Sequence, residues 1–199
     1  MRPTRYRFAL LAGLSVLAAS AVVPSALAQM SDSPAMGSQN IVMVGGAAMY
    51  PSKNIVQNAV NSKDHTTLVA AVKAGGLVDT LQGPGPFTVF APTNAAFDKL
   101  PPGTVDTLVK PENKPQLVKI LTYHVVPGRY TAADLMRMVQ QGNGKATLKT
   151  VEGDPLTISQ NGKHLYVSGE QSGVAEVTIS NVMQSNGVIH VVSSVLLPN

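Results

Sequence analysis

The chain has 199 residues, 15 of them basic, 11 acidic and none cysteine. Without cysteine there is no disulfide, no thiolate metal site and no lipid-bearing thiol, so packing alone must hold the fold. Arg2, Arg5 and Arg7 all fall in residues 1–28, which carry no acid; the remaining chain has 12 basic against 11 acidic residues, a net of +1, and the sequence pI of 9.4 is no argument for nucleic acid.

Residues 1–28 have a basic start, an apolar run from about Phe8 to Val23 and the small-residue site Ala26-Leu27-Ala28. This is the layout of a cleaved secretory signal peptide. A membrane anchor fits less well: Ser15, Ser20 and Pro24 interrupt a run that would need roughly 20 apolar residues to span a bilayer. No twin-arginine pair is present, and no later segment is apolar enough to span. Residues 29–51 are poor in charge and rich in Met, Ser, Gly and Ala, and read as a flexible leader. Met30, Met36, Met43 and Met49 are too widely spaced for a compact soft-metal site.

The folded part is expected over 52–199. A short helix is expected from Asn54 to Val60, and a second after Ser62 and Asp64, with Leu68, Val69 and Val72 inward and Gly75-Gly76 as its stop. After the Gly83-Pro84-Gly85-Pro86 break, Thr88, Val89 and Phe90 read as a strand. Pro92 ends it, because proline cannot donate to a ladder and keeps Ala91 extended. Thr93 then caps a helix through the N–H of Ala96, placing Phe90 and Phe97 as anchors of one core.

Thr104 starts another short helix, and Pro115 suits the first turn of the next, where Leu117, Ile120, Leu121 and His124 share a face. Val126-Pro127-Gly128-Arg129 reads as a turn, and Thr131 with Asp134 as a capping box ahead of Leu135, Met138 and Val139. From Ala146 the pattern becomes strand-like. Asn161-Gly162 predicts a hairpin with Ile158 opposite Leu165 and Leu156 opposite Val167; Asn186-Gly187 predicts a second, with Val182 opposite Val191. Val188 to Val192 is apolar on both faces, as a central strand requires.

The stretch TVFAPTNAAFDKL, residues 88–100, resembles the first homology segment of fasciclin-type (FAS1) domains, and NGVIHVVSSVLLP, residues 186–198, resembles the second. Tyr123-His124 is similar to the family's tyrosine–histidine motif, and TTLVAAVKAGGL to its early helix; the likeness runs over roughly 52–198. It implies an α+β fold, a β-wedge with several helices packed on it, in a secreted or surface-attached adhesion module. Two positions depart from the family pattern. Asn181-Val182 stands where many relatives carry Asp-Ile, in a neighbourhood implicated in integrin engagement in animal members, and Val192-Ser193 stands where many carry Ile-Asp.

Candidate sites are few. His65 reads as an exposed residue at a helix start and His164 as an outer-face hairpin residue, whereas His124 and His190 read as buried and hydrogen-bonded. No HExxH or similar zinc spacing, GxSxG elbow, phosphate loop or dinucleotide fingerprint occurs. His190 and Ser194 would lie about 13 Å apart along a strand, too far for a nucleophile and its base. The sequence therefore predicts a non-enzymatic, exported monomer without cofactor or metal that meets a protein or a surface or matrix component. The alternative is a periplasmic binding protein for a small molecule or glycan. Tyr123, His124, Asn181 and Val182 are the interaction or structural motif to test, and Phe90, Phe97 and His190 the core anchors.

Overall fold

A computed structural model describes residues 41–199; the signal peptide expected over 1–28 and most of the leader lie outside the described residues. The leader expected over 29–51 gives way to structure earlier than its composition suggested. Val42–Val44 (β1) and Ala47–Met49 (β2) form a hairpin around Gly45-Gly46, both glycines at positive φ, 57° and 75°. Two left-handed residues in a two-residue loop are what a right-twisted hairpin needs, and glycine adopts them without strain. Val44 and Met49 are buried, so the hairpin belongs to the core.

Helix α1 (Ile55–Ala59) opens on a capping box between Asn54 and Gln57. A single 3-10 turn, Lys63–His65, precedes α2 (Thr66–Gly75), which stops at left-handed Gly76. Next comes α3 (Val78–Gln82), a one-turn helix that the Gly-Pro run after it obscures in the sequence. Strand β3 (Phe87–Pro92) ends on the proline, and Thr93 caps α4 (Asn94–Phe97) by accepting the Ala96 N–H at 3.3 Å. Helices α5 (Thr104–Leu108) and α6 (Lys114–Tyr123) lead into β4 (Val125–Pro127), and α7 (Ala132–Gln141) starts on the Thr131–Asp134 capping box. Then come β5 (Lys145–Lys149), β6 (Pro155–Asn161), β7 (His164–Ser168), β8 (Val174–Gln184) and β9 (Gly187–Val192).

The strands form a seven-stranded sheet in the order β4-β3-β9-β8-β7-β6-β5. Only β3 and β9 pair in parallel; these are the two segments that carry the family resemblance. The 11-residue β8 is the joint of the wedge. Its first residues pair with β7 and its later ones with β9, with register shifts between Val177, Ile179 and Val182. Bulges of this kind bend a strand and increase its twist.

Every residue of β9 is buried. Ile189 and Val191 face a core shared with the β1–β2 hairpin and α1 to α6, whereas Val192 faces a second core inside the wedge, closed by α7. The same alternation corrects the expectation for the phenylalanines. Phe90 and Phe97 are both buried but enter different cores, because Phe90 points to the wedge while its neighbours Val89 and Ala91 face the helices with Phe97.

Both predicted hairpin registers are off by two. Ile158 pairs with Val167 and Gln160 with Leu165, so the loop is Gly162-Lys163, with positive φ at Gly162 alone. Val182 pairs with Ile189, so the second loop is Ser185-Asn186. A slip of two leaves every side chain on its face, and the inward set Leu156, Ile158, Leu165 and Val167 is unchanged.

Candidate functional site

Tyr123 closes α6 and His124 follows as its C-cap, so the motif sits where a helix hands over to strand β4. The Tyr123 ring is fully buried. Its hydroxyl donates to the Pro155 carbonyl at 2.8 Å and accepts the Glu170 N–H at 3.2 Å. The ring passes so close to Gly169 that a Cβ there would lie 2.9 Å from Tyr123 Cε1 and 2.8 Å from the Leu197 carbonyl. Gly169 is thus part of the seat of the tyrosine, and a lone loop glycine carries no sequence signal of that.

His124 spans two elements. Its Nδ1–H donates to the Ile120 carbonyl at 2.8 Å, and Nε2 accepts the Leu196 N–H at 3.0 Å. The second bond fixes the tautomer, since Nε2 must be unprotonated to receive an N–H. Burial drives the His124 pKa down to about 4, against the opposing pull of the Ile120 carbonyl. The pair latches the end of α6 to β6, to the loop after β7 and to the C-terminal segment.

His190 stacks on Phe90 with ring centroids 5.7 Å apart and gives Nε2–H to the Tyr130 carbonyl at 2.8 Å; Nδ1 has no partner. Burial lowers its pKa, with the Tyr130 carbonyl acting against the shift. Asn181 sits in the bulged part of β8 at φ 58°, a conformation asparagine tolerates better than most residues. Its Oδ1 accepts the Ala132 N–H at 2.7 Å, at the first turn of α7. Val182, one residue on, is buried against Ile189, so Asn181 and Val182 face different surroundings. Ser193, at the other departure, is also committed to structure: its Oγ accepts the Glu176 N–H at 3.0 Å.

His65 departs from expectation. It is 3% exposed, with Nδ1 2.8 Å from the Ser62 hydroxyl. The 3-10 turn ahead of α2 rolls it inward, and the signal was available: His65, Leu68 and Val72 fall at i, i+3 and i+7, and all three are buried. His164 is exposed and pairs with Glu176 at 2.8 Å. Asn186, read only as a turn residue, is a hub. It accepts the Ile55 N–H at 3.0 Å and donates to the carbonyls of Leu81 and Gly83 at 2.8 and 3.1 Å.

Among the motif and anchor residues, Phe90, His124 and Val182 all border one apolar cavity of about 60 Å³, which His65 also lines; Tyr123, Asn181, Phe97 and His190 do not. No helix among the described residues is long and apolar enough to cross a membrane.

A parallel β3–β9 pair, a bent β8 and a helical layer over one face define a FAS1-type β-wedge. The family model described as Fasciclin domain matches residues 63–198, and the chain belongs to that family. It is 49% identical over 144 residues to the Synechocystis protein sll1735, covering 72% of this chain and 97% of that one. It is 34% identical over 197 residues to immunogenic protein MPT70 of Mycobacterium tuberculosis, covering 94% and 92%. It is 36% identical over 148 residues to the rabbit transforming growth factor-beta-induced protein ig-h3, covering 74% of this chain but 20% of that much longer protein. Among solved structures, the FAS1 domain pair of the insect cell adhesion molecule Fasciclin I superposes with a TM-score of 0.67 at 20% identity, over 74% of this chain and 52% of that one.

Proposed function

We propose that the protein is an exported, non-enzymatic interaction module, a monomer without cofactor or metal that binds a protein or a surface or matrix component. The observation that carries this reading is the closure of the Tyr123–His124 motif. The tyrosine hydroxyl and both histidine nitrogens are already bonded to backbone groups, which leaves no free acid, base or nucleophile there for a substrate. The motif is then a structural latch, with Phe90, Phe97 and His190 as anchors, and recognition belongs to the outer surface. Export follows from the signal-like residues 1–28. The adhesion part rests on relatives: a solved neighbour is a cell adhesion molecule, and a mycobacterial relative is named cell surface glycolipoprotein MPB83.

The favoured contact face is the hairpin end, where Ile41, Met43 and Tyr50, in or next to the β1–β2 hairpin, are exposed although large and apolar. The test is binding of the immobilised protein to cells and to cell-envelope material, for the wild type, Met43→Glu with Tyr50→Ser, and Tyr123→Phe. The surface variant should lose binding at an unchanged melting temperature, and Tyr123→Phe should retain binding wherever it remains folded. Loss of binding by a fully folded Tyr123→Phe, with the surface variant unaffected, would reverse the assignment.

A further inference from the structure

Asparagine followed by glycine is a chemically labile pair, because glycine has no side chain to shield its nitrogen from the asparagine amide carbon. The chain holds three such pairs: Asn143-Gly144, Asn161-Gly162 and Asn186-Gly187. The reaction open to each is the same. The glycine nitrogen gives up its proton and attacks the asparagine Cγ, a C–N bond forms, and the amide nitrogen leaves as ammonia, closing a succinimide ring. Water then opens the ring at either carbonyl. The product is aspartate or, with the main chain rerouted through the former side chain, isoaspartate. Water is the one reagent, and nothing is oxidised or reduced.

The fold treats the three pairs differently. Asn186 is held most firmly. Its Oδ1 accepts the Ile55 N–H, and its Nδ2 donates to the carbonyls of Leu81 and Gly83. Gly187 is buried so close to Phe87 that a Cβ on it would strike the Phe87 carbonyl. At Asn143 the nucleophile is engaged instead. The residue is exposed just past α7 at φ 55°, but the Gly144 N–H donates to the Val139 carbonyl at 2.8 Å.

Asn161 has neither restraint. It ends β6, and both it and Gly162 are exposed. Among the described residues its side chain has no hydrogen-bond partner, and the Gly162 N–H has none in the turn. Apart from its chain neighbours, no heavy atom lies within 4 Å of where a Gly162 Cβ would stand, so the ring and the incoming water have room. Ring closure needs rotation about the Asn161 Cα–C bond, to carry the glycine nitrogen over the side chain. Asn161 and His164 are the last pair of the β6–β7 ladder, so that rotation opens the hairpin end alone, and such ends open at little cost.

We infer that Asn161 is a site of spontaneous deamidation in the folded protein, and that Asn143 and Asn186 are protected by their hydrogen bonds. Conversion at position 161 takes the chain beyond residue 28 from 12 basic against 11 acidic residues to 12 against 12, a net charge of 0. The new carboxylate stands across the ladder from His164, which already pairs with Glu176 at 2.8 Å. The isoaspartate product also lengthens the main chain by one methylene beside the Gly162-Lys163 loop. Asn161, Gly162 and Lys163 are all exposed, so either product changes the outer surface and leaves both cores intact.

The test holds the purified protein in mildly alkaline buffer, folded and in parallel unfolded in urea. Conversion of each asparagine is followed by peptide mapping with mass spectrometry, with chromatography separating aspartate from isoaspartate products. In urea the three pairs are equally free and should convert at similar rates. In the folded protein, each measured against its own rate in urea, Asn161 should convert fastest. Asn143 should be about tenfold slower, the factor one hydrogen bond on the nucleophile is worth. Asn186 should be slowest, converting only as the whole chain unfolds. Asn161→Ser should remove the early acidic form seen by isoelectric focusing. Folded Asn143 or Asn186 converting as fast as Asn161, or an early acidic form that persists in Asn161→Ser, would each overturn the assignment.

Discussion

The two cores on either side of β3 and β9 differ in how completely they are closed. Inside the wedge, Phe90, Tyr123, Leu135, Leu156, Ile158 and Val167 have essentially no exposed surface. On the helical side, the hairpin, α1 and α2 enclose a cavity and bury a polar set: Asn58 bonds Gln184 and the backbone of Tyr50, and His65 keeps an unpaired nitrogen. The histidines carry the contrast. His124 uses both nitrogens to join two elements, whereas His65 bonds the Ser62 hydroxyl through one and has no hydrogen-bond partner on the other.

The largest expected effect breaks the closed core. Phe90→Ala should cost about 3–5 kcal/mol in urea unfolding, since it removes a fully buried ring and its stack on His190. A loss under about 1 kcal/mol would mean the wedge is not packed as described.

The sharpest comparison replaces each histidine by leucine. His124→Leu should cost about 2–4 kcal/mol, because the Ile120 carbonyl and the Leu196 N–H both lose their partner. His65→Leu should cost about 1 kcal/mol or less, since it abandons only the Ser62 hydroxyl and removes a buried nitrogen that has no hydrogen-bond partner. Equal costs would erase the distinction between latch and cavity.

Acid should act on the latch next. The folded pKa of His124, about 4, lies below its ordinary value of 6.5. The unfolded chain therefore binds the proton first as pH falls. The contribution is whole above pH 6.5 and is lost between 6.5 and about 4, amounting to roughly 2–3 kcal/mol at the lower end. His65 and His190 shift in the same direction and steepen the loss. Chemical unfolding measured across that window checks it, and a flat profile would contradict it. The smallest effect should come from the α7 cap, where Thr131→Ala removes the oxygen that accepts the Asp134 N–H and should cost about 1 kcal/mol by the same measurement.

Much of the local chemistry was legible in the sequence. The Thr93 cap, the Thr131–Asp134 box, the stop at Gly76, the end of β3 at Pro92 and the two-faced burial of β9 all follow from residues a few positions apart. The α+β wedge and its family were legible too, because segments 88–100 and 186–198 build the parallel β3–β9 pair at its centre. Gly45-Gly46 and the His65–Leu68–Val72 stripe were also present as local signals, although one sat in a segment with a leader's composition and the other behind a cap-like Ser and Asp.

Other features were decided only by long-range packing. Hydrophobic alternation has a period of two, so it sets which face is buried but is indifferent to a two-residue slip; neighbouring strands choose the register. Phe90 and Phe97 divide between two cores because β3 has both faces covered, which nothing in their spacing reveals. The partners of Tyr123, His124 and Asn186 lie 32 to 131 residues away, apart from the local His124 bond to Ile120. The cavity is a remainder left between elements that each pack well locally, so its shape exists only once the whole chain is folded.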